Sequence, residues 1–202
     1  MIDDGIFTTK QIHTIVSYLG IFLILIGLAG SYNYIVDKDM NVKQMQGSVQ
    51  TSLELRAALI PNLVATIVGS GKFESNTLVD VISERKLSQH IQSNIETAQS
   101  AGDLQSQESS LAGVIGRLML VYEQYPILKT TDQYKQMMDQ LASTENDVRV
   151  SRNNYNAAVR DYQQTVKSFP LNLIAGILGY NLDRYQMFTV TDHNQNVVMV
   201  NF

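Results

Sequence analysis

The feature that most constrains this chain is a long uncharged run near its N-terminus. Between Gln11 and Val36 no side chain carries a fixed charge, and the stretch Tyr18–Ala29 is almost wholly apolar. A bilayer core of about 30 Å is crossed by roughly 20 such residues in an α-helix. The run therefore predicts one transmembrane helix over residues 11–36, preceded by a short tail over residues 1–10.

Two other interpretations of this run fit less well. A signal peptide has a positive leader, a shorter apolar stretch and a small-residue cleavage site, whereas this leader sets Asp3 and Asp4 against Lys10. A buried helix of a soluble core rarely stays uncharged for so long. Tyr32 and Tyr34 at the end of the run suit a membrane interface, but the nearly balanced flanking lysines do not set an orientation.

The composition removes several classes of function. With 202 residues, the chain is long enough for one domain besides the anchor. The formal net charge of −4 comes from scattered residues, so no basic patch predicts nucleic-acid binding. The absence of cysteine excludes disulfides, thiolate metal sites and thiol nucleophiles.

Beyond the anchor, apolar residues recur in a seven-residue pattern that is typical of packed helices. The pattern predicts an all-α fold, an elongated bundle of about four helices over residues 37–185, which the family resemblance given below implies to be antiparallel. Three regular stripes comprise Val42, Gln46, Val49, Leu53, Arg56, Ile60, Leu63 and Ile67; Leu104, Glu108, Leu111, Ile115, Leu118, Tyr122 and Tyr125; and Tyr134, Met138, Leu141, Glu145, Val148, Arg152, Tyr155, Val159, Tyr162, Val166 and Phe169. A less regular stripe comprises Leu78, Ile82, Leu87, Ile91, Ile95 and Ala98.

The connections between these stripes follow from glycine, proline and capping residues. No Gly or Pro lies between Val36 and Asn41, so the membrane helix is expected to continue into the first bundle helix. Pro61 falls within that helix and removes a hydrogen bond to the Ala57 carbonyl, which predicts a kink. Ser100 is expected to cap the helix that follows it.

The C-terminal residues 186–202 have a different character. Two β-type runs, Met187–Thr191 and Asn196–Val200, flank a polar turn, and this pattern predicts a β-hairpin. Since a lone hairpin is marginal in water, we expect this tail to pair with the same tail of neighbouring subunits.

Several uncommon sequence motifs in the chain resemble those of the LemA family of bacterial membrane proteins. The resemblance extends from about Tyr32 to Tyr180, and the clearest words are Leu59–Val64, Tyr122–Lys129, Arg152–Val159 and Phe169–Tyr180. It implies one transmembrane helix in the bacterial cytoplasmic membrane, with the N-terminus outside and an antiparallel helical bundle in the cytoplasm. It implies no established molecular activity.

This chain departs from the family pattern in two places. The family's Arg-Arg-x-Asp word before Leu59 appears as Leu55-Arg56-Ala57-Ala58, and a β-rich tail follows Tyr185, where many relatives end. A charge network that used the missing residues would be thinner in this chain.

Four charged residues, Arg56, Glu108, Glu145 and Arg152, fall on otherwise apolar stripes. Because a buried charge is costly unless it is paired, we expect acids and arginines from different helices to meet and fix the register of the bundle. We expect Glu145→Ala to lower the melting temperature markedly. The alternative is a local Glu145 to Arg149 pair on a wetter seam.

No pattern of residues predicts catalysis or cofactor binding. A di-iron bundle needs Glu-x-x-His pairs, and none of His13, His90 and His193 follows such a Glu. These histidines are interpreted as surface residues, and no nucleophile or phosphate-loop motif occurs. We therefore expect no enzyme activity, metal or cofactor.

The sequence favours a membrane-anchored scaffold or assembly protein that forms homo-oligomers and contacts membrane lipids and unidentified protein partners. Two alternatives stay open. A pore or transport role needs several copies around a pathway. A regulator or hydrolase of membrane lipids needs a pocket with converging polar groups.

Overall fold

A computed structural model describes residues 9–69, 74–125, 128 and 131–189 of the chain. Within these ranges the fold is all-helical and contains no β-strand, which confirms the predicted class. The helices are α1 (Thr9–Ala57), α2 (Ile60–Gly69), α3 (Ser75–Thr97), α4 (Ala101–Gln124), α5 (Asp132–Lys167), α6 (Leu171–Leu178) and a 3₁₀ turn (Leu182–Arg184).

The first helix, α1, continues without interruption through Val36 and Asn41, so the predicted helical continuation is confirmed. In the described part of the chain it is the one helix that is long and apolar enough to cross a membrane, and the side chains of its apolar window are not buried by protein. Apolar residues from Ile12 to Leu28 are exposed in the same way. Exposure of so many apolar side chains to water is unfavourable, and the helix therefore indicates a membrane location.

The chain divides into two compact units. The anchor unit comprises Met1–Asn41 and Arg160–Arg184, and the bundle unit comprises Val42–Val159 and Tyr185–Phe202, each within the ranges described above. In the anchor unit, Ile35 and Tyr162 are fully buried. Its polar contacts are given below, where they bear on the membrane.

The core of the bundle unit is built from the predicted stripes. Val49, Leu53 and Leu63 are buried, as are the α4 stripe from Leu104 to Tyr122 and the α5 residues Leu141, Val148 and Tyr155. The hydroxyl of Tyr122 donates a hydrogen bond to the Leu63 carbonyl at 3.2 Å. A buried phenol needs such a partner. Most of these core residues lie on the predicted apolar stripes, so the spacing located the core correctly.

The buried face of α3 agrees with the prediction only in the second half of the helix. Ile91 and Ile95 are buried as predicted, but Ile82 and Leu87 are exposed, and Val81 and Ser88 are buried in their place. The four buried residues step by seven, three and four, which is a regular seam whose second position is polar. Counting only apolar residues therefore misplaced the first half of the face by one residue.

Two predicted features near helix ends take a different form. Instead of a kinked helix at Pro61, α1 ends at Ala57 and α2 begins at Ile60, so Pro61 lies in the first turn of a new helix, where its missing N–H costs little. Phe169, the last residue of the predicted α5 stripe, is exposed because α5 already ends at Lys167.

The capping residue was predicted correctly. The Ser100 hydroxyl accepts a hydrogen bond from the Asp103 N–H at 3.1 Å, and the Asp103 carboxylate accepts one from the Ser100 N–H at 3.0 Å. This reciprocal pair is a capping box at the start of α4. Hydrogen bonds from the Ser100 hydroxyl and N–H hold the pKa of the Asp103 carboxyl below its usual value.

The predicted C-terminal hairpin is not supported in the described part of the chain. Met187, Phe188 and Thr189 belong to no helix or strand, and the last two contact side chains of helices instead. The rest of the predicted hairpin, residues 190–202, lies outside the described residues.

Candidate functional site

The first pair of seam charges, Arg56 of α1 and Glu145 of α5, is brought together in the bundle unit. The Arg56 guanidinium contacts the Glu145 carboxylate, and the two side chains are 11% and 56% exposed. Arg149, the local alternative, donates to the Asn146 side chain instead. The pair thus joins two helices, with a buried arginine and an acid that remains open to water.

The second pair, Glu108 of α4 and Arg152 of α5, lies deeper. Arg152 donates through Nη1 to both carboxylate oxygens of Glu108, at 2.9 and 3.1 Å, and both side chains are largely buried. A charge-assisted bond of this kind is stronger than a neutral one and becomes costly to break when water is excluded.

Arg152 also binds the segment Tyr185–Thr189, which we call the strap. Its Nη2 donates to the Thr189 carbonyl oxygen at 2.8 Å. Gln105 of α4 makes two more hydrogen bonds to Thr189. Its Nε2 donates to the Thr189 hydroxyl at 2.9 Å, and its Oε1 accepts from the Thr189 N–H at 3.3 Å. Both backbone polar groups of Thr189 are therefore bonded to side chains of the bundle.

The preceding residue of the strap is held in the same way by α5. The Asn156 amide donates to the Phe188 carbonyl at 3.0 Å and accepts from the Phe188 N–H at 2.9 Å. One side chain thereby makes the pair of bonds that a neighbouring strand would make. The Tyr155 hydroxyl adds a bond to the Gln186 carbonyl at 3.0 Å.

The Phe188 side chain anchors the strap in the bundle unit. Phe188 is buried, and its ring meets the Tyr155 ring edge to face, with centroids 5.2 Å apart. The Arg152 guanidinium carbon lies 5.2 Å from the Phe188 centroid, within cation–π range. Burial raises the pKa of Tyr155 to about 12, so its hydroxyl stays protonated and able to donate at neutral pH.

A comparison with known families agrees with the sequence motifs that resemble LemA proteins. The sequence profile of the LemA family matches residues 45–202. The chain belongs to the LemA family.

Similar proteins include the LemA protein of Metamycoplasma hominis, which is 25% identical over 82% of this chain and 75% of its own length. The magnetosome protein MamQ of Magnetospirillum gryphiswaldense is 24% identical over 87% of this chain and 71% of its own length. The magnetosome protein MamQ 2 of Paramagnetospirillum magneticum is 36% identical over a shorter stretch, which spans 39% of this chain and only 29% of that protein.

Two groups of polar contacts in this LemA-family bundle were not predicted from the apolar stripes. Gln105 and Asn156 carry no charge and flank the seam, so nothing marked them as binding residues. Glu84 of α3 and Arg117 of α4 form a forked ion pair, with Nη2 to Oε2 at 2.9 Å, which raises the pKa of the arginine. Glu84 lies four residues before Ser88 on the α3 face that was misassigned.

The described residues of this LemA-family chain contain no group of three or more His, Asp or Glu side chains placed to hold a metal ion. A cleft of about 340 Å³ lies between α3 and α4. Its lining includes the Glu84 to Arg117 pair, and its Ser83 hydroxyl donates to the Asp80 carbonyl at 2.7 Å. These polar groups of the cleft thus bond to one another.

Proposed function

We propose that this protein is a non-enzymatic, membrane-anchored scaffold in which the bundle unit holds the C-terminal segment in place for contact with other copies of the chain. The observation that carries the proposal is the strap. Consecutive residues Phe188 and Thr189 have their N–H and C=O groups bonded to side chains of α4 and α5. The backbone of Phe188 and Thr189 is therefore held in place on the bundle unit.

The sequence beyond the strap supports contact between copies. The run Asn196–Val200 is β-type in its composition, and an extended segment of this composition is stabilised by pairing with another chain. A second copy offers an identical strand, and closed symmetric assemblies are the usual outcome of such self-pairing. The seam ion pairs would fix the register of the helices, so that every copy presents its tail from the same place.

Further parts of the proposal concern the membrane. The bundle would lie in the cytoplasm of a bacterial cell, with α1 in the cytoplasmic membrane, the N-terminus outside and lipids as the first partners. Because the chain has no cysteine, a single Val79→Cys variant reports the side directly. Labelling by an impermeant maleimide only after the cells are opened supports this orientation; labelling of intact cells contradicts it.

The oligomer is tested with Val198→Asp, which places a charge in the second β-type run. Mass photometry of the full chain in detergent is expected to show an oligomer for the wild type and a monomer for the variant, with unchanged helix content by circular dichroism. Asn194→Asp adds the same charge in the predicted turn and serves as the control. A wild type that is monomeric at every concentration rules out the proposal.

A further inference from the structure

The helix α6 of the anchor unit is apolar on both of its sides. No charged residue occurs between Phe169 and Leu182. Ala175 is buried against the unit, whereas Phe169, Leu173 and Ile177 are 80%, 61% and 86% exposed. Leu173 and Ile177, four residues apart in the helix, share one outward row, and Phe169 lies in the turn just before the helix. Asn172 is the one polar side chain of this helix, and exposed apolar side chains grouped in this way mark a contact surface.

This outward row is attached close to the end of the membrane helix. Arg184, just after α6, contacts Asp39 of α1 at 3.0 Å, and Asp161, which precedes α6, contacts Lys38 at 2.7 Å. Lys38 and Asp39 come two and three residues after Val36, the last residue of the uncharged run. At 1.5 Å per residue, these ion pairs lie within about 5 Å of the end of the run, measured along α1.

Two further bonds hold the returning chain in the anchor unit. The Tyr162 hydroxyl donates to the Asn181 carbonyl at 3.2 Å, and Gln163 donates to the Leu182 carbonyl at 3.2 Å. The segment that follows α6 is therefore tied to α5 and to α1, and the N-terminal end of α6 follows directly on α5. Since Leu173 and Ile177 are exposed on this unit, the row meets whatever surrounds α1 near the end of the uncharged run.

We propose that α6 is a second membrane contact, which lies in the interface with Phe169, Leu173 and Ile177 among the lipid chains. Eight helical residues span about 12 Å, far too little to cross a bilayer, so the helix would lie along the surface. The ion pairs of Lys38 and Arg184 mark the aqueous side. Tyr32, Tyr34 and Tyr180 supply the interfacial rings expected at this depth.

A lipid surface fits the outward row better than a second copy of the chain does. The row belongs to the same unit as the apolar surface of α1, which itself needs lipid. Its contact area is small, two side chains on a two-turn helix and Phe169 just before it, and stable interfaces between chains are several times larger. The inference rests on the membrane anchoring proposed above, but not on the scaffold role or the oligomer.

Spin labelling of the cysteine-free chain tests this inference. The full chain with Ile177→Cys is labelled with a nitroxide and reconstituted in vesicles of neutral phosphatidylcholine. Collision with oxygen, which concentrates in lipid, is compared with collision with a neutral nickel chelate, which stays in water. We expect oxygen accessibility at position 177 to exceed that of the chelate severalfold, as it should for Leu19→Cys on α1. Val79→Cys on α3, 63% exposed, is the matched apolar control in water.

The three labels separate the possible outcomes. Greater access of the chelate at 177, with a lipid signature at 19, overturns the interfacial helix but leaves the anchor intact. Low access of both reagents at 177 means that protein covers the row, and it also overturns the inference. A water signature at 19 refutes the anchor itself. Leu173→Cys, on the same row, must repeat the result, since both side chains are too exposed for their substitution to disturb the fold.

Discussion

Arg152 and Glu108 form the central link of the bundle unit, because the arginine bonds to the acid through Nη1 and to the strap through Nη2. The two bonds to Glu108 measure 2.9 and 3.1 Å, and the bond to the Thr189 carbonyl measures 2.8 Å. The carboxylate orients a guanidinium that would otherwise be free to rotate. Packing of α4 on α5 and docking of the strap thus depend on one cation.

The two acids of the seam are expected to differ in their effect on stability. Glu108→Gln should lower the free energy of unfolding by about 2 kcal/mol, because it removes a charge-assisted pair in which both partners are largely shielded from water. Glu145→Gln should cost less than about 1 kcal/mol, because the Glu145 side chain is mostly exposed and water can take its place beside Arg56. Urea unfolding of the full chain in detergent, followed by circular dichroism, measures both. Equal losses would show that burial does not decide the strength of these pairs.

That expectation revises the one made from the sequence for Glu145. On the apolar stripes, Glu145 and Glu108 occupy equivalent positions, and spacing alone gives them the same burial. Accessibility separates them, since water reaches Glu145 freely but is largely excluded from the Glu108 side chain.

Asn156 is expected to control docking of the strap. Asn156→Leu keeps the side-chain volume but removes both bonds to Phe188, each worth about 1 kcal/mol. Exchange of the Phe188 amide, measured by hydrogen exchange and mass spectrometry, should accelerate at least about tenfold, which corresponds to about 1.4 kcal/mol.

Asn154→Leu is the control for that experiment, because Asn154 lies on the exposed side of the same helix turn. It should leave exchange at Phe188 unchanged. Equal acceleration in both variants would mean that helix propensity, and not the Asn156 amide, holds the strap.

Apolar spacing predicted most of the core, because every buried leucine, valine and isoleucine of α4 obeys one helical period. It failed in the first half of α3, where the buried position is occupied by Ser88. A search for apolar residues does not find a buried serine. It also extended the α5 stripe to Phe169, although Pro170 follows and the helix ends at Lys167. Hydrophobic period identifies a face, but it does not show where a helix stops or where a polar residue is tolerated.

The strap had no such signal. Gln105 and Asn156 bind the backbone of Phe188 and Thr189, and any residue has the same backbone groups. The β-type composition of Met187–Thr191 predicted a hairpin, which the described residues do not support, and it gave no sign that amide side chains would bond to this backbone.

Ionisation of buried tyrosines is expected to destabilise the bundle at high pH. Burial raises the pKa of Tyr155 and of Tyr122 to about 12, from an ordinary value of 10.0. The unfolded chain therefore loses these protons first, and stability is complete below about pH 10 and declines as the pH rises toward 12. Each group should contribute a slope of about 1.4 kcal/mol per pH unit in that window.

Tyr155→Phe and Tyr122→Phe should each remove one such slope when unfolding free energies are compared between about pH 10 and pH 12. The Tyr155 variant should also weaken protection of the strap, because its hydroxyl bonds to Gln186. The Tyr122 variant should not, since that hydroxyl bonds to Leu63. An unchanged slope in both variants would place the alkaline transition elsewhere in the chain.

Replacement by alanine should have opposite effects on stability at Gly176, inside α6, and at Gly179, at its C-terminal end. Gly179 ends the helix at φ 78°, where the Tyr180 N–H donates to the Ala175 carbonyl at 2.9 Å, so Gly179→Ala should destabilise the helix end by about 1 kcal/mol. Gly176 lies inside the helix, and a methyl group added there would meet open space, so Gly176→Ala should stabilise it by about 0.8 kcal/mol. Exchange of the α6 amides should speed up in the first variant and slow down in the second. Both variants add one methyl group at a position with no other atom within contact distance. A destabilising effect at one and a stabilising effect at the other would therefore report the left-handed backbone conformation of Gly179.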